Sequence, residues 1–327
     1  MGFASRFIAC PLLLTVLGVA PAGLDARLAQ LAAQAGHPAR EHFIAERTQT
    51  IERRTYVDTV DTQGMRRIAR RCQHHVCRGS YFDGSRTFSL SYNDAAFPEE
   101  DADNPTTRTL RAIDSLAFAE PAFARSGGTV GIEPASEEPI TRYRVTAPGG
   151  RALIAEIDTR NGHLTHIDDG EQQLVSYHDY RAVDGVAFAF ERAIGPERIT
   201  YDRVTRANAP LEAPQGLTLE TAPVATAALS GTTPTPTFRC TLAGIDFNCI
   251  LDTGTVGMAI SLSAAERLHL EPEGEIDVAG LGLYVSGLVH TGPLVLPGAQ
   301  IRDARFIVLP DFRAADTSRT STMANSS

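Results

Sequence analysis

Residues 237–254 read TFRCTLAGIDFNCILDTG. Alternating runs flank Ala243-Gly244, a turn-forming pair, so this stretch is expected to form two antiparallel strands. A four-residue connection from Ala243 to Asp246 would set Cys240 opposite Cys249, a separation a disulfide can bridge. The second strand carries Cys249-Ile250-Leu251 into Asp252-Thr253-Gly254. A carboxylate at the end of an apolar strand is costly to bury without a partner. Asp252 is therefore either a turn acid capping backbone amides or a group kept for chemistry.

Downstream, MAISLSAAERLHL (258–270) gives another strand and then a helix, with Ser263 and Glu266 spaced as a capping box. A Gly-rich hairpin, IDVAGLGLYVSGLV (276–289), follows, and then a strand pair, GPLVLPGAQIRDARFIVLPDF (292–312). Strand, D-T-G, strand, helix, Gly-rich hairpin, strands: over residues 237–312 this order resembles the retropepsin-like aspartic peptidases, including secreted bacterial members. The resemblance implies that Asp252 is the catalytic aspartate and that Thr253 and Gly254 hold its turn. It also implies that the stretch from Gly280 through Leu281 and Gly282 to Gly287 forms a flap over an extended peptide substrate.

The chemistry of such a site needs two carboxylates. Set about 3 Å apart they cannot both ionise, so one keeps a proton and polarises the scissile carbonyl while the other activates water. This chain has a single D-[ST]-G; Asp83-Gly84, Asp169-Gly170 and Asp184-Gly185 lack the hydroxyl residue. The consistent solution is a homodimer whose twofold axis passes through the site, each chain giving one Asp252. No metal and no organic cofactor is required. Family members continue with a further apolar segment, a helix and closing strands, whereas this sequence turns polar as RAADTSRTSTMANSS (313–327), the composition of a disordered tail. An inactive, incomplete peptidase domain is thus the competing expectation.

Toward the N-terminus the pattern differs. LDARLAQLAAQAG (24–36) places Leu24, Leu28 and Leu31 on one helical face, with Gly36 to close the helix. From about 42 to 207 many short alternating segments are separated by Gln63-Gly64, Asp83-Gly84, Asn161-Gly162 and Asp184-Gly185, which mark hairpins of a curved antiparallel sheet. FPEEDADNP (97–105) marks an exposed loop. The phrases YFDGSRTFSLSYND, AEIDTRNGHLTHI, VSYHDYRAVDGVAFAFE and RVTRANAPL resemble the half-barrel of LolA-type lipoprotein carriers, DYRAVDGVAFAF most of all. That resemblance implies a concave sheet able to hold an apolar ligand; the plain alternative is a sheet that buries its own face.

The expected fold class is therefore mainly β: a half-barrel with a short helix, then a small all-β acid-protease-like domain. The boundaries are a signal peptide at 1–22, the half-barrel at 23–207, a Pro/Thr-rich linker at 208–236, the peptidase-like domain at 237–312 and the tail at 313–327. The leader shows Arg6, an apolar run from Phe7 to Val19, and small residues in Ala20-Pro21-Ala22. Export makes disulfides the default for the cysteines that remain after Cys10, which pair by proximity as Cys72 with Cys77 and Cys240 with Cys249. CQHHVC (72–77) also offers metal ligands, although no second ligand pair with finger-like spacing follows it.

Of 30 basic residues Arg6 leaves with the signal, so 29 face 39 acids, a balance near −10 that disfavours nucleic acid or an anionic membrane as partner. No run after residue 22 is long and apolar enough to span a bilayer. There is no G-x-S-x-G elbow and no H-E-x-x-H pair. Two functions remain: an exported, homodimeric aspartic endopeptidase, and a lipid- or protein-binding half-barrel protein carrying a remnant peptidase domain.

Overall fold

In a computed structural model of the protein, residues 23–73, 76–99, 103–134, 138–216, 219–221, 229, 236–250, 257–278 and 284–311 are described. The chain is mainly β. Helix α1 (Leu24–Gln34) forms as its leucine spacing dictates, burying Leu24, Leu31 and Ala32, and Gly36 follows it at φ 75°. Strands β1 (His42–Ile51), β2 (Arg54–Gln63), β3 (Arg66–Gln73), β4 (Val76–Phe82), β5 (Thr87–Leu90) and β6 (Ala96–Pro98) form an antiparallel meander.

Two helices then interrupt what the sequence reading took for continuous strand and loop: α2 (Pro105–Asp114) and α3 (Pro121–Arg125). Asn104 caps α2, its Oδ1 accepting from the N–H groups of Thr106 and Thr107 at 2.9 and 3.1 Å. Strands β7 (Thr129–Ile132), β8 (Ile140–Thr146), β9 (Leu153–Asp158), β10 (His163–Asp168), β11 (Gln173–Val183), β12 (Val186–Ile194) and β13 (Glu197–Thr200) form a second seven-stranded sheet. Strand β14 (Arg203–Ala207) returns to pair with β1.

The four expected hairpin turns join β2 to β3, β4 to β5, β9 to β10 and β11 to β12. Asp184 and Gly185 both take positive φ, the two-residue turn whose twist suits a tight hairpin. The sheets meet where Tyr201 N–H donates to Phe190 C=O and Asp202 N–H to Glu46 C=O. Phe43, Val186, Phe190, Tyr201 and Val204 pack across that seam. The result is one continuous curved wall. Helices α1, α2 and α3 and the 3-10 turn Ala117–Ala119 fill its hollow, packing Leu31, Ile113, Phe123 and Phe118 against Tyr143, Leu153, Ile157 and Ile167.

Part of the stretch expected as linker is ordered. Leu211 packs with Ile68, Tyr81 and Leu90, and β15 (Leu219–Thr221) pairs with a strand of the C-terminal domain. That domain comprises β16 (Thr237–Leu242), β17 (Ile245–Ile250), β18 (Ala259–Ser261), helix α4 (Leu262–Arg267), β19 (Glu273–Val278), β20 (Tyr284–His290), β21 (Leu294–Leu296), β22 (Ala299–Ile301) and β23 (Arg305–Leu309). Its strands form two sheets, ordered β15-β22-β21-β16-β17 and β18-β23-β20-β19, with β18 and β23 parallel. Leu242, Ile260, Val289, Leu294 and Phe306 form the core between them. The tail from residue 312 lies outside the described residues. Among those described, no helix is long and apolar enough to cross a membrane.

Candidate active site and the hollow of the half-barrel

Asp252, Thr253 and Gly254 lie in segment 251–256, and Gly280, Leu281 and Gly282 in segment 279–283, both outside the described residues. Their surroundings are described. β17 is the edge strand of one sheet and β18 the edge strand of the other, the two sheets share a core, and in sequence residues 251–256 stand between these two strands. The β19–β20 hairpin carries the Gly-rich stretch between Val278 and Tyr284. In register, the Val278–Tyr284 end of that hairpin lies toward the Ser261 end of β18, whereas Gly257 precedes its Ala259 end.

The half-barrel grips the exit of the crossing. Tyr92, 8% exposed, donates its hydroxyl to Met258 C=O and accepts from Met258 N–H, both at 3.0 Å. Burial raises the pKa of this phenol, which keeps it a neutral donor. Gly257, at φ 103°, leaves room for the Tyr92 hydroxyl, which a Cβ there would strike. Around this contact Val76 and Tyr92 of the half-barrel pack on Ile276 and Leu288, and Arg305 Nη1 donates to Tyr92 C=O at 2.9 Å. Arg54 pairs with Glu275 at 2.6 Å across the same interface.

On the far side of β18, the cap of α4 is Ser261 rather than Ser263. Ser261 Oγ accepts from Ala264 N–H, while Ser263 donates from its hydroxyl (2.7 Å) and N–H (3.2 Å) to Asp311. These bonds hold the Asp311 carboxyl below the usual carboxylate range. A capping-box spacing was present in the sequence, but the hydroxyl two residues earlier stood at the strand-to-helix junction and took the role.

Both cysteine pairs are joined. Cys72 bonds Cys77 at the β3–β4 turn, with Cα atoms 4.0 Å apart, so these thiolates are not metal ligands; His74 and His75 lie outside the described residues. Cys240 bonds Cys249 with Cα atoms 5.9 Å apart, but the two are not directly opposed. The turn has two residues, Ala243 and Gly244, both at positive φ, instead of four. Cys240 therefore faces Phe247 and Cys249 faces Phe238, and the bridge runs diagonally on one face of the ladder. No cluster of three His, Cys, Asp or Glu able to hold a metal occurs among the described residues.

A second candidate site lies between the concave wall and helix α2, beside Ala35 at the end of α1, where a cavity of ≈ 90 Å³ is bounded by Phe43, Leu164, Tyr180 and Phe188 but also by Arg67, Arg111 and Arg192. The sequence reading singled out none of these arginines, nor Tyr92. The available signal was Asn104-Pro105 ahead of Leu110 and Ile113, a helix start that would have set Arg111 and Asp114 one turn apart on the same face. No protein-family model and no curated protein matches this chain.

Proposed function

We propose that the protein is an exported aspartic-type endopeptidase, periplasmic or secreted, that hydrolyses peptide bonds through two Asp252 carboxylates brought together in a homodimer. One observation carries this reading. The only D-[ST]-G of the sequence falls between β17 and β18, edge strands of two sheets that share a core, and strand, helix, hairpin and strand pair follow in the order expected of a retropepsin-like domain. Asp252 would share one proton with its counterpart, Thr253 and Gly254 would hold the turn, and the β19–β20 hairpin would close over the peptide.

Mixing wild-type and Asp252→Asn chains tests this directly. If each active unit needs two intact aspartates, an equal mixture retains about one quarter of the wild-type activity, because about one dimer in four is wild-type on both sides. Retention of about half would mean that each chain acts alone. A second reading, a half-barrel that binds a ligand, is favoured by the arginine-lined cavity between the concave wall and α2.

A further inference from the structure

We propose that the cavity between the concave wall and helix α2 is a binding site for an oxyanion carried on an apolar body, a carboxylate or phosphate whose oxygens are taken by Arg67, Arg111 and Arg192. The inference rests on the reading of the half-barrel as a ligand-binding domain and names the chemistry of what it binds; it is independent of Asp252.

The charge balance of the cavity leads to this conclusion. Arg67 comes from β3, Arg111 from α2 and Arg192 from β12, three elements that the fold brings to one wall. The one carboxylate among the described lining residues is Asp114. It accepts from the Tyr177 hydroxyl at 2.9 Å and pairs with Arg111 Nη1 at 3.3 Å and Arg192 Nη1 at 3.6 Å. Burial opposes its ionisation, yet Arg192, Arg111 and Arg67 together hold its pKa below the usual value. Tyr177 is pushed well up, first by burial and then by Asp114, and stays a neutral donor. One negative charge thus answers three positive ones.

The surplus is not satisfied within the protein. The Nε atoms of Arg67, Arg111 and Arg192 are all buried without a hydrogen-bond acceptor. Arg192 as a whole is only 8% exposed, although its guanidinium lies over the Tyr201 ring at 5.6 Å. The Arg67 side chain makes no ion pair or hydrogen bond among the described residues; burial, then the Arg111 and Arg192 charges, push it down to about 9, so it remains a cation at neutral pH. Arg111 is pushed down by burial and by Arg192, against the pull of Asp114.

A structural ion cluster would be expected to satisfy its donors, because unpaired buried charge is strongly unfavourable. Water can accept from an Nε–H but brings no negative charge. An oxyanion does both, and guanidinium forks match the geometry of carboxylate and phosphate. The rest of the wall, Phe43, Leu116, Leu164 and Phe188, is apolar and suits a hydrocarbon body. A neighbouring hollow of ≈ 410 Å³ shares Arg67 and Arg192 and adds Arg47, Arg70, Arg71 and Arg78 against Asp58, so the concave side is basic although the chain is acidic overall.

The test uses the full mature chain and four probes: dodecanoate, dodecyl phosphate, 1-dodecanol and inorganic phosphate, with affinities read by calorimetry. Both amphiphilic anions are expected to bind about 10- to 100-fold more tightly than the alcohol, the range of charge-assisted hydrogen bonds. Arg67→Met is expected to erase that preference while melting no lower than wild-type without ligand, because it removes an unpaired buried charge. Arg67→Lys should restore part of the preference. Arg67→Gln, which discards the charge but keeps a polar donor, gives the same comparison if the Met variant does not fold. Equal binding of alcohol and acid, unchanged in the Arg67 variants, overturns the oxyanion site and leaves the ligand-binding reading standing. Binding of none of the amphiphiles overturns both. Inorganic phosphate binding as tightly as dodecyl phosphate overturns the apolar body, and indifference to Asp252→Asn is expected throughout.

Discussion

Replacing Tyr92 by Phe removes one oxygen and leaves the ring in place against Val76, Ile276 and Leu288. That oxygen bonds both backbone groups of Met258 at 3.0 Å, but the two losses are unequal. Met258 C=O also accepts from Ile307 N–H at 3.0 Å and keeps that partner, whereas Met258 N–H has no second acceptor among the described residues. The cost is therefore that of one unsatisfied amide. A fully buried one costs about 1–3 kcal/mol, and because Met258 is only partly buried, about 1–2 kcal/mol is expected. Urea unfolding should register this as a lower midpoint with an unchanged slope. Hydrogen exchange should register it locally, as about tenfold faster exchange of the Met258 amide for each 1.4 kcal/mol. Tyr92→Ala, which also deletes the ring, should cost about 3–5 kcal/mol. A Phe variant identical to wild-type in both measurements would show that the half-barrel does not grip the chain beyond Asp252, and the linkage between the domains would have to be abandoned.

Other predictions follow from the same interactions. Asp58 is nearly buried, and although desolvation opposes it, hydrogen bonds from Arg71 and Arg47 hold its pKa below 3.8. Its folded pKa is thus the lower one, so its stabilisation is present above about pH 4 and is lost as pH falls through the folded value. Asp58→Ala should cost about 3 kcal/mol in urea unfolding at neutral pH and remove this part of the acid sensitivity. Breaking Cys240–Cys249, which closes a loop of sequence separation 9, by a double Ala substitution should cost about 2–3 kcal/mol in the same assay. Asn104→Ala removes the cap of α2 and should cost about 1 kcal/mol. Because α2 carries Arg111 and Asp114, the affinity for dodecanoate should fall with it.

The readings that local chemistry decides were legible in the sequence. Leucines at 24, 28 and 31 can face one way only in a helix, and glycines at 64, 162 and 185 stand where the chain reverses. Helix α2 was hidden by its acidic approach, FPEEDADNP, which resembles any exposed loop; its Asn-Pro start was the one local cue. The disulfide at Cys240 was foreseen but not its register, because a two-residue and a four-residue turn leave both cysteines on the same face of the ladder. The charge pattern was the least legible. RRIARR (66–71) reads as a solvated strand, yet alternation sends Ile68 to the convex side with Tyr81 and Arg67 inward to meet Arg111 and Arg192, far away in sequence. A net charge of −9 describes the whole surface and is silent about the sign of an internal hollow.

The most direct test of the central proposal is cleavage of an unfolded protein by the purified mature chain, from about pH 3 to 7, where an aspartate dyad shares one proton. Enzyme concentration is varied widely, and Asp252→Asn is run in parallel. An Asp252 pair built across a dimer predicts activity that rises faster than linearly with concentration at the dilute end and is absent in the variant. Cleavage that is linear in concentration, or equal in wild-type and Asp252→Asn, would contradict it and leave Asp252 as a turn acid between two packed sheets.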